Sequence, residues 1–583
     1  MKNEVPQART PGPRCRWLVA PAQPLPAERL SRELGVAPLL AQCLVNRQLS
    51  EPAAAADFLQ PRLRQLSDPF LLPDMRPAIE RLAAARARQE PIVIFGDYDV
   101  DGVTSTALLQ EVLTALGWSV SHYLPSRLDE GYGLSEEAVR HCFENSTARL
   151  LLAVDCGSTA VETIGWLRDR GVETIVLDHH QVAHPPPAAC ALVNPHRALA
   201  PGGFRDLCSV GLAFKLAHAL VKTAREQGWP SAATYDVRPL LDLVALGTVA
   251  DLVPLIGENR ILAAAGLERL RRTPRPGLRA LKSVAQTPEA VGVYEVGFQL
   301  APRLNAAGRL EAASKALALL RTSDAGEAVR LANELDAQNH ERQRIERAIA
   351  EQVIGAVRAR FNPETDYVIV EGQMLWHIGV VGIVASRVLR EFYRPTLILG
   401  GNGAEWRGSG RSIEGFDLAA ALRECDDLLL RHGGHALAAG LSVQPENVDA
   451  LRARLNSIAR RTLAPLQLQR PIRLDAEVNL KDLNPVLMDE LERLEPVGQG
   501  NPPAQFVVRN VSLRARPQRM GKQGQHAKFW IQDGPATAEV VWWGGGDAPL
   551  PSGRIDLAFA PQTNDYEGRH TLQLRLLDWR PAA

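Results

Sequence analysis

Three carboxylates within five residues, Asp97, Asp99 and Asp101 in PIVIFGDYDVDG, restrict what this chain can fold into more than any other feature. They repel one another, so a tight loop holding all three costs free energy unless a cation neutralises them. Ile92 to Phe95, just before them, form an unbroken apolar run of strand type, and Gly102 opens a helical pattern just after. A calcium-loop reading fails on the same residues. Its twelfth position, where a bidentate Glu belongs, is Leu108, and a strand rather than a helix precedes it. A nucleotide-binding loop fails too, because neither G-x-G-x-x-G nor G-x-x-x-x-G-K-[ST] follows the strand.

The pattern recurs downstream. The apolar run LLLAV ends in Asp155, and VETIVL ends in Asp178, His179 and His180. Ligands of open α/β sheets gather at the carboxyl ends of strands, so these strand ends are expected to face one crevice. Asp251 closes the helical apolar run LLDLVALGTVAD, and Pro254 stops its continuation. Singly, a strand-end acid or a helix-end acid is ordinarily a solvated residue. Oxygen and imidazole donors together suit Mn²⁺ or another first-row ion, with Mg²⁺ as a substitute.

At 583 residues the chain exceeds what one hydrophobic core organises, so several domains are expected. Residues 1–75 are Pro- and Ala-rich and read as an N-terminal segment. Strand and helix patterns alternate over 76–324, the mark of a mainly parallel sheet. Residues 325–360 read as one long connecting helix, with Ile345, Ile349, Val353 and Val357 stepping by four along one face. A second α/β segment spans 361–464. The remainder, 465–583, is rich in short β-runs such as TLQLRLLDW and reads as an OB-like β-barrel. The fold class is thus α/β with a C-terminal barrel.

Lys plus Arg equals Asp plus Glu at 66 each, so nucleic-acid binding has to come from local patches rather than a global field. The seven cysteines contain no C-x-x-C pair, which argues against a disulfide framework or structural zinc and for a reducing compartment. No run approaches the roughly 18 apolar residues of a membrane span, and MKNEVPQARTPGPRCRW lacks a signal core. A cytoplasmic monomer without membrane contact is expected. In the barrel segment Phe529, Trp530, Trp542 and Trp543 occur near Arg516, Arg519, Lys522 and Lys528, a composition suited to stacking and phosphate contact along a single strand. Glycines around Ser409 and Arg411 in RGSGRS, and Gly433, Gly434 and His435 in RHGGHALAAG, read as Gly-rich turns that let backbone and guanidinium approach a phosphate.

The ordered set DYDVDG, Asp155, Asp-His-His and GTVAD resembles the DHH phosphoesterases, and its order and separation resemble their RecJ branch. The resemblance spans roughly residues 90 to 583, with WHIGVVGIVASR, RGSGRS and RHGGHALAAG similar to the DHH-associated domain and LEPVGQGNPPAQF similar to a RecJ segment that usually carries Phe at Val497. It implies two divalent ions held by Asp99, Asp101, Asp155, His179 and Asp251, with Asp155 as the bridge. Many small-substrate relatives carry a His where Phe95 stands, and the resemblance implies Asp97 as the ligand that compensates. His180 is implied to sit at the reacting phosphate, with Asp155 and Asp178 completing the catalytic group. Ser409, Arg411, Gly434 and His435 are implied to bind substrate, as are Arg303, Asn305 and Arg309 in APRLNAAGRL and Arg127 in LPSRLDEGYG. Some of these arginines would take a 5′ phosphate and set polarity.

The activity so implied is a 5′→3′ exonuclease specific for single-stranded DNA, releasing mononucleotides in repair and recombination. Two ions would acidify and orient a water for in-line attack, with no covalent intermediate. His180 would act as charge stabiliser or proton donor. Single-strand-binding protein and a RecQ-type helicase are implied partners. Two readings compete: a DHH phosphoesterase of small nucleotides or oligonucleotides, which would not need the extra β-domain, and a non-catalytic DHH-fold scaffold, whose metal motifs would have decayed.

Overall fold

The computed structural model describes residues 15–582 except 127–129, 131–132, 145, 198–203, 311–312, 402, 404, 547 and 567–568. The chain divides into two compact units. One comprises Ala53–Arg342 and Arg493–Pro503; the other takes the chain up to Pro52, Gln343–Glu492 and everything from Ala504 on.

At the centre of the first unit is an all-parallel sheet in the order Val120–Tyr123, Ile92–Gly96, Leu150–Val154, Glu173–Leu177, Ala191–Val193. Every residue of Ile92–Gly96 and Leu150–Val154 is buried, which is why these strands read as unbroken apolar runs rather than alternating ones. Ile92, Ile94, Leu150 and Leu152 pack into one core with helices Val100–Ala115, Ser209–Glu226 and Leu241–Ala250. Val93, Phe95, Leu151 and Ala153 pack into a second core on the other face, with Glu136–Glu144 and Val161–Arg168. Strand order reverses between Ile92–Gly96 and Leu150–Val154, and the crevice outside such a reversal is the usual ligand site of an open α/β sheet.

Segment Arg493–Pro503 is held in this unit by Arg260, which is only 1% exposed. Its Nε donates to the Phe58 carbonyl at 2.8 Å, and its two terminal nitrogens donate to the carbonyls of Arg493, Leu494, Glu495 and Pro496 at 2.7–3.1 Å. All five guanidinium donors are spent on main chain.

In the second unit Ile345, Ile349, Val353 and Val357 of helix Ala325–Arg360 pack as their spacing predicts, against Val384 and Val388 of helix Val381–Phe392. A five-stranded sheet runs Leu429–His435, Ala438–Val443, Trp406–Arg411, Thr396–Gly401, Ile369–Met374, and only its last pair is parallel. RGSGR and RHGGH, read from sequence as turns, lie inside strands of this sheet. The two glycines of RGSGR serve packing: a Cβ on Gly408 would come within 2.3 Å of Leu399 and one on Gly410 within 2.5 Å of Leu418.

Strand Phe506–Leu513 pairs with both Arg554–Tyr566 and His526–Asp533. Arg569–Pro581 and Ala536–Trp542 complete the ring, which closes into a five-stranded barrel of the OB type. Outside the barrel, Arg16–Val19 pairs in parallel with Pro471–Leu474. Among the described residues no helix is long and apolar enough to cross a membrane, and the cysteines are free thiols.

Candidate metal centre

Three strand ends place their acids in one row. The amides of Asp97, Asp155 and Asp178 donate to the carbonyls of Val154, Leu177 and Val193 on the neighbouring strands, at 3.2, 2.9 and 3.3 Å. The sheet ladder thus extends through each acid. Asp155 is held at φ +64°, a left-handed conformation that costs a non-glycine residue free energy and persists where surrounding structure enforces it. Asp99 caps helix Val100–Ala115, its Oδ1 accepting from the amides of Asp101 at 2.9 Å and Gly102 at 3.2 Å. Gly102 is required by closeness: a Cβ there would lie 2.4 Å from the Asp97 carbonyl oxygen.

Asp101 is fixed by a different element. Its two oxygens accept from the amides of Ser209 and Val210, at 2.7 and 2.8 Å, at the start of helix Ser209–Glu226, where the helix dipole favours an anion. The Ser209 hydroxyl donates to Asp155 Oδ1 at 2.9 Å. Sequence reasoning missed Ser209, because a Ser at the head of an apolar helix signals no more than a helix start.

His179 Nε2 stands 3.4 Å from Asp251 Oδ2, 3.6 Å from Asp155 Oδ1 and 4.0 Å from Asp101 Oδ2. Donors arranged around one ion, each ~2.1 Å from it, sit roughly 3–3.5 Å apart, so this spacing is near that of a shared cation. His179 Nε2 and Asp251 Oδ2 are shut from solvent and have no hydrogen-bond partner among the described residues. Three overlapping triads result: Asp97 with Asp99 and Asp155, Asp101 with His179 and Asp251, and Asp155 with His179 and His180, the donor atoms in each lying within 4.8 Å of one another. These orphaned atoms and this oxygen-and-imidazole donor set fit divalent first-row ions and Mg²⁺.

Electrostatics agree. Burial, then the charge of Asp99, pushes Asp101 up to about 7, and burial followed by Asp101 and Asp99 pushes Asp251 up to about 9. Asp155 is also raised well above the carboxylate range, by burial and then by Asp101. Burial, and then His180, brings His179 down to about 4, leaving the neutral imidazole that ligates metal.

Asp178 belongs to none of these triads. Its Oδ1 accepts from His180 Nδ1 at 2.7 Å and from the His180 amide at 3.1 Å, while Oδ2 accepts from the Ser158 amide at 2.9 Å. Burial opposes the charge on both partners, yet the pair prevails: Asp178 is held below the usual carboxylate range and His180 is raised. Asn194 secures the arrangement by donating to the His180 carbonyl and the Ser158 hydroxyl, both at 2.8 Å.

Among the other residues singled out from sequence, Asn305 reaches the acid loop, its Oδ1 accepting from the Val100 amide at 3.2 Å. Arg303 is engaged by Asp336 at 2.8 Å and the Gln299 carbonyl at 2.7 Å, and Arg309 lies half-buried on the same helix, Ala301–Leu310. Arg127 lies outside the described residues. In the second unit Arg411 Nη1 donates to Ser409 Oγ at 2.9 Å, and a Cβ on Gly382 would lie 2.9 Å from that oxygen, so the pair sits at the start of helix Val381–Phe392. Gly434, at φ +138°, and the exposed His435 end strand Leu429–His435. On the barrel Phe529 is core at 2% exposure, whereas Trp530 and Trp543 are 40% and 53% exposed. Arg516, Arg519 and Lys522 are exposed, but Lys528 pairs with Glu539 at 2.6 Å.

A family model for the DHH family N-terminal domain matches residues 91–248, one for the DHHA1 domain matches 365–461, and one for the RecJ OB domain matches 474–578. The single-stranded-DNA-specific exonuclease RecJ of Bacillus subtilis is 37% identical over 569 residues, covering 97% of this chain and 70% of that protein. This chain belongs to the RecJ family. RecJ of Dickeya dadantii is also 37% identical, over 88% of this chain and 92% of that one. Among solved structures, RecJ of Thermus thermophilus in complex with Mn²⁺ matches with a TM-score of 0.84 at 33% identity, over 98% of this chain and 80% of that one. The Mg²⁺ complex of RecJ from the same organism matches with a TM-score of 0.77 at 32% identity, over 98% and 79%. The sheet and four of the five acids of the centre fall inside the DHH match of this RecJ-family chain, and the closed barrel, but for the last residues of its final strand, falls inside the RecJ OB match.

Proposed function

We propose that this chain is a divalent-metal-dependent exonuclease specific for single-stranded DNA, acting 5′→3′ and releasing mononucleotides in repair and recombination. The observation that carries the reading is the cluster of five carboxylates and His179, three of the acids buried and the rest half-buried, at the strand-order reversal of a parallel sheet. Asp97, Asp99, Asp101, Asp155, His179 and Asp251 would hold the divalent ions, Asp155 and His179 each standing in two of the triads. When bound, Mn²⁺ or Mg²⁺ would acidify a water and neutralise charge on the scissile phosphate.

The protein residues supply the rest. Asp155 and Asp101 are held rigid by Ser209 and the start of its helix, so ligand geometry is set before substrate arrives. Asp178 keeps the Nδ1 proton of His180 in place, so the proton His180 gives to a leaving oxygen is the one on Nε2. No Ser or Cys nucleophile is needed. Ser409, Arg411, Gly434 and His435, with Arg127, Arg303, Asn305 and Arg309, are proposed to bind the strand, an arginine among them taking the 5′ phosphate. The division of labour proposed is 76–324 for metal chemistry, 361–464 for substrate phosphate and 465–583 for the strand, joined by helix 325–360 and preceded by segment 1–75. Family membership supports a cytoplasmic monomer working with single-strand-binding protein and a RecQ-type helicase.

Purified protein would be given Mn²⁺ and three labelled DNAs: a single strand with a free 5′ end, the same strand blocked at that end, and a blunt duplex, each beside Asp155→Ala. Mononucleotides from the free-5′ single strand alone, absent with the variant, are expected. Release from the blocked strand would overturn the polarity, and release from none would overturn the activity.

A further inference from the structure

The run 293–310 passes beside the metal centre and carries two aromatics that its packing does not use. Val296 and Leu300 are buried, whereas Tyr294 is 62% and Phe298 67% exposed, their ring centroids 5.0 Å apart and their planes 30° from parallel. A single exposed aromatic is unremarkable, but two tilted rings in contact with each other, both exposed, are an organised apolar surface. A π-helical turn, Val296–Leu300, shapes this face, and such turns concentrate at functional sites.

The run lies against the elements that carry the metal centre at two points. Gly297, between the two aromatics, packs beside Val249, since a Cβ there would lie 4.0 Å from its Cγ1, and Val249 is two residues before Asp251. Farther along, Asn305 accepts from the Val100 amide, and a Cβ on Gly308 would lie 2.9 Å from the Tyr98 carbonyl oxygen, both in the acid loop. Leu252, immediately after Asp251, is 72% exposed and held at φ +61°, a strained conformation for a branched residue.

We infer that Tyr294 and Phe298 form a stacking platform for a nucleobase of the strand whose phosphate lies at the metal centre. The inference rests on the exonuclease reading and adds to it a selector for single strands. Every base has a π-face, so stacking is sequence-tolerant, but inside a duplex both faces of each base are already covered by the neighbouring pairs. The platform therefore takes unpaired DNA of any sequence, with rings ordered at low entropic cost because each has only two side-chain torsions.

The test compares the full chain with Phe298→Ala, Tyr294→Ala and Phe298→Trp on a 5′-phosphorylated single strand and on the same strand made abasic over its 5′-terminal segment. Phe298→Ala is expected to raise KM on the normal strand by about tenfold or more while leaving KM on the abasic strand unchanged, and Phe298→Trp is expected to restore it. Equal losses on both strands, or no loss on either, would overturn the platform. So would a wild-type dimer in sedimentation that Phe298→Ala dissociates, since the aromatics would then be covered by a second copy. Binding without metal separates the two readings. A 2-aminopurine strand quenched by wild type but not by Phe298→Ala supports the platform even if wild type hydrolyses nothing, an outcome that would sink only the exonuclease reading.

Discussion

Asp178 Oδ1 accepts from His180 Nδ1 at 2.7 Å, and the same oxygen accepts from the His180 amide. One carboxylate oxygen thus fixes both backbone and ring of the histidine, while the other is committed to the Ser158 amide. Asp178→Asn is expected to lower kcat about 10- to 100-fold with KM for the strand little changed, because the amide cannot hold the same ring orientation and charge. Steady-state kinetics at saturating Mn²⁺ decide it. A change confined to KM would assign Asp178 to substrate binding instead.

Gly102 leaves the acid loop no tolerance. In Gly102→Ala the new methyl would sit 2.4 Å from the Asp97 carbonyl oxygen, so the backbone that places Asp97 and Asp99 must shift. Mn²⁺ affinity, followed by calorimetry or by electron paramagnetic resonance of free ion, is expected to fall at least about tenfold with the fold retained. Unchanged affinity would show that the loop relaxes without cost.

Metal-stripped protein is expected to lose stability as pH rises. Asp101, raised to about 7, Asp251, raised to about 9, and the similarly raised Asp155 bind protons in the folded state that they release when unfolded near pH 4. Between those limits the folded state holds more protons, so its advantage is complete below about pH 4 and shrinks as pH climbs through 7 to 9. Saturating Mn²⁺, binding only the folded centre, is expected to remove the decline and raise Tm. Thermal melts of chelated and Mn²⁺-loaded protein over about pH 5 to 9 check both; a chelated protein equally stable across that range would contradict the sign.

Much of this centre was legible because parallel strands buried on both faces must be apolar throughout, and Asp97, Asp155 and Asp178 interrupt such runs at their carboxyl ends. Helix Ala325–Arg360 was legible for a related reason: Ile345 to Val357 repeat at the helical period over a long span. Ser209 left no trace, since it serves Asp101 and Asp155 through an amide and a hydroxyl across 108 and 54 residues. Strand Ala191–Val193 is too short to show a period. Glycine-rich RGSGR suggested a turn because glycine permits turns, yet here it permits Leu399 and Leu418 to press against a strand, a demand set by tertiary neighbours. Composition grouped Phe529 with Trp530, but adjacent strand residues face opposite sides, so only one of them can belong to the barrel exterior.

That division gives a paired prediction. Phe529→Ala should destabilise the barrel by about 3–5 kcal/mol, read as a lower urea midpoint. Trp530→Ala and Trp543→Ala should leave the midpoint almost unmoved and weaken binding of long single strands by about 1–3 kcal/mol for each base released. Equal effects of Phe529→Ala and Trp530→Ala on stability would contradict the assigned faces.

Arg260 commits every donor it has to main-chain carbonyls of Phe58 and residues 493–496. Its removal leaves buried acceptors unpaired, so Arg260→Ala should cost at least about 3 kcal/mol. Lys, with three donors on one atom, cannot span them, and Arg260→Lys should rescue little. Chemical denaturation measures the difference; full rescue by Lys would mean that charge rather than geometry holds the segment.

The parallel pairing of Arg16–Val19 with Pro471–Leu474 has a consequence in time. The first of these strands emerges from the ribosome roughly 450 residues before its partner exists, a delay on the order of half a minute or more at ordinary rates of synthesis. Over the same interval the sheet that carries Asp97, Asp155 and Asp178 has all five strands in hand, the last of them complete at Val193. Arg569–Pro581, which closes the barrel, is made last of the strands. Chain order therefore lets the acid-bearing sheet form early during synthesis, well before a barrel exists.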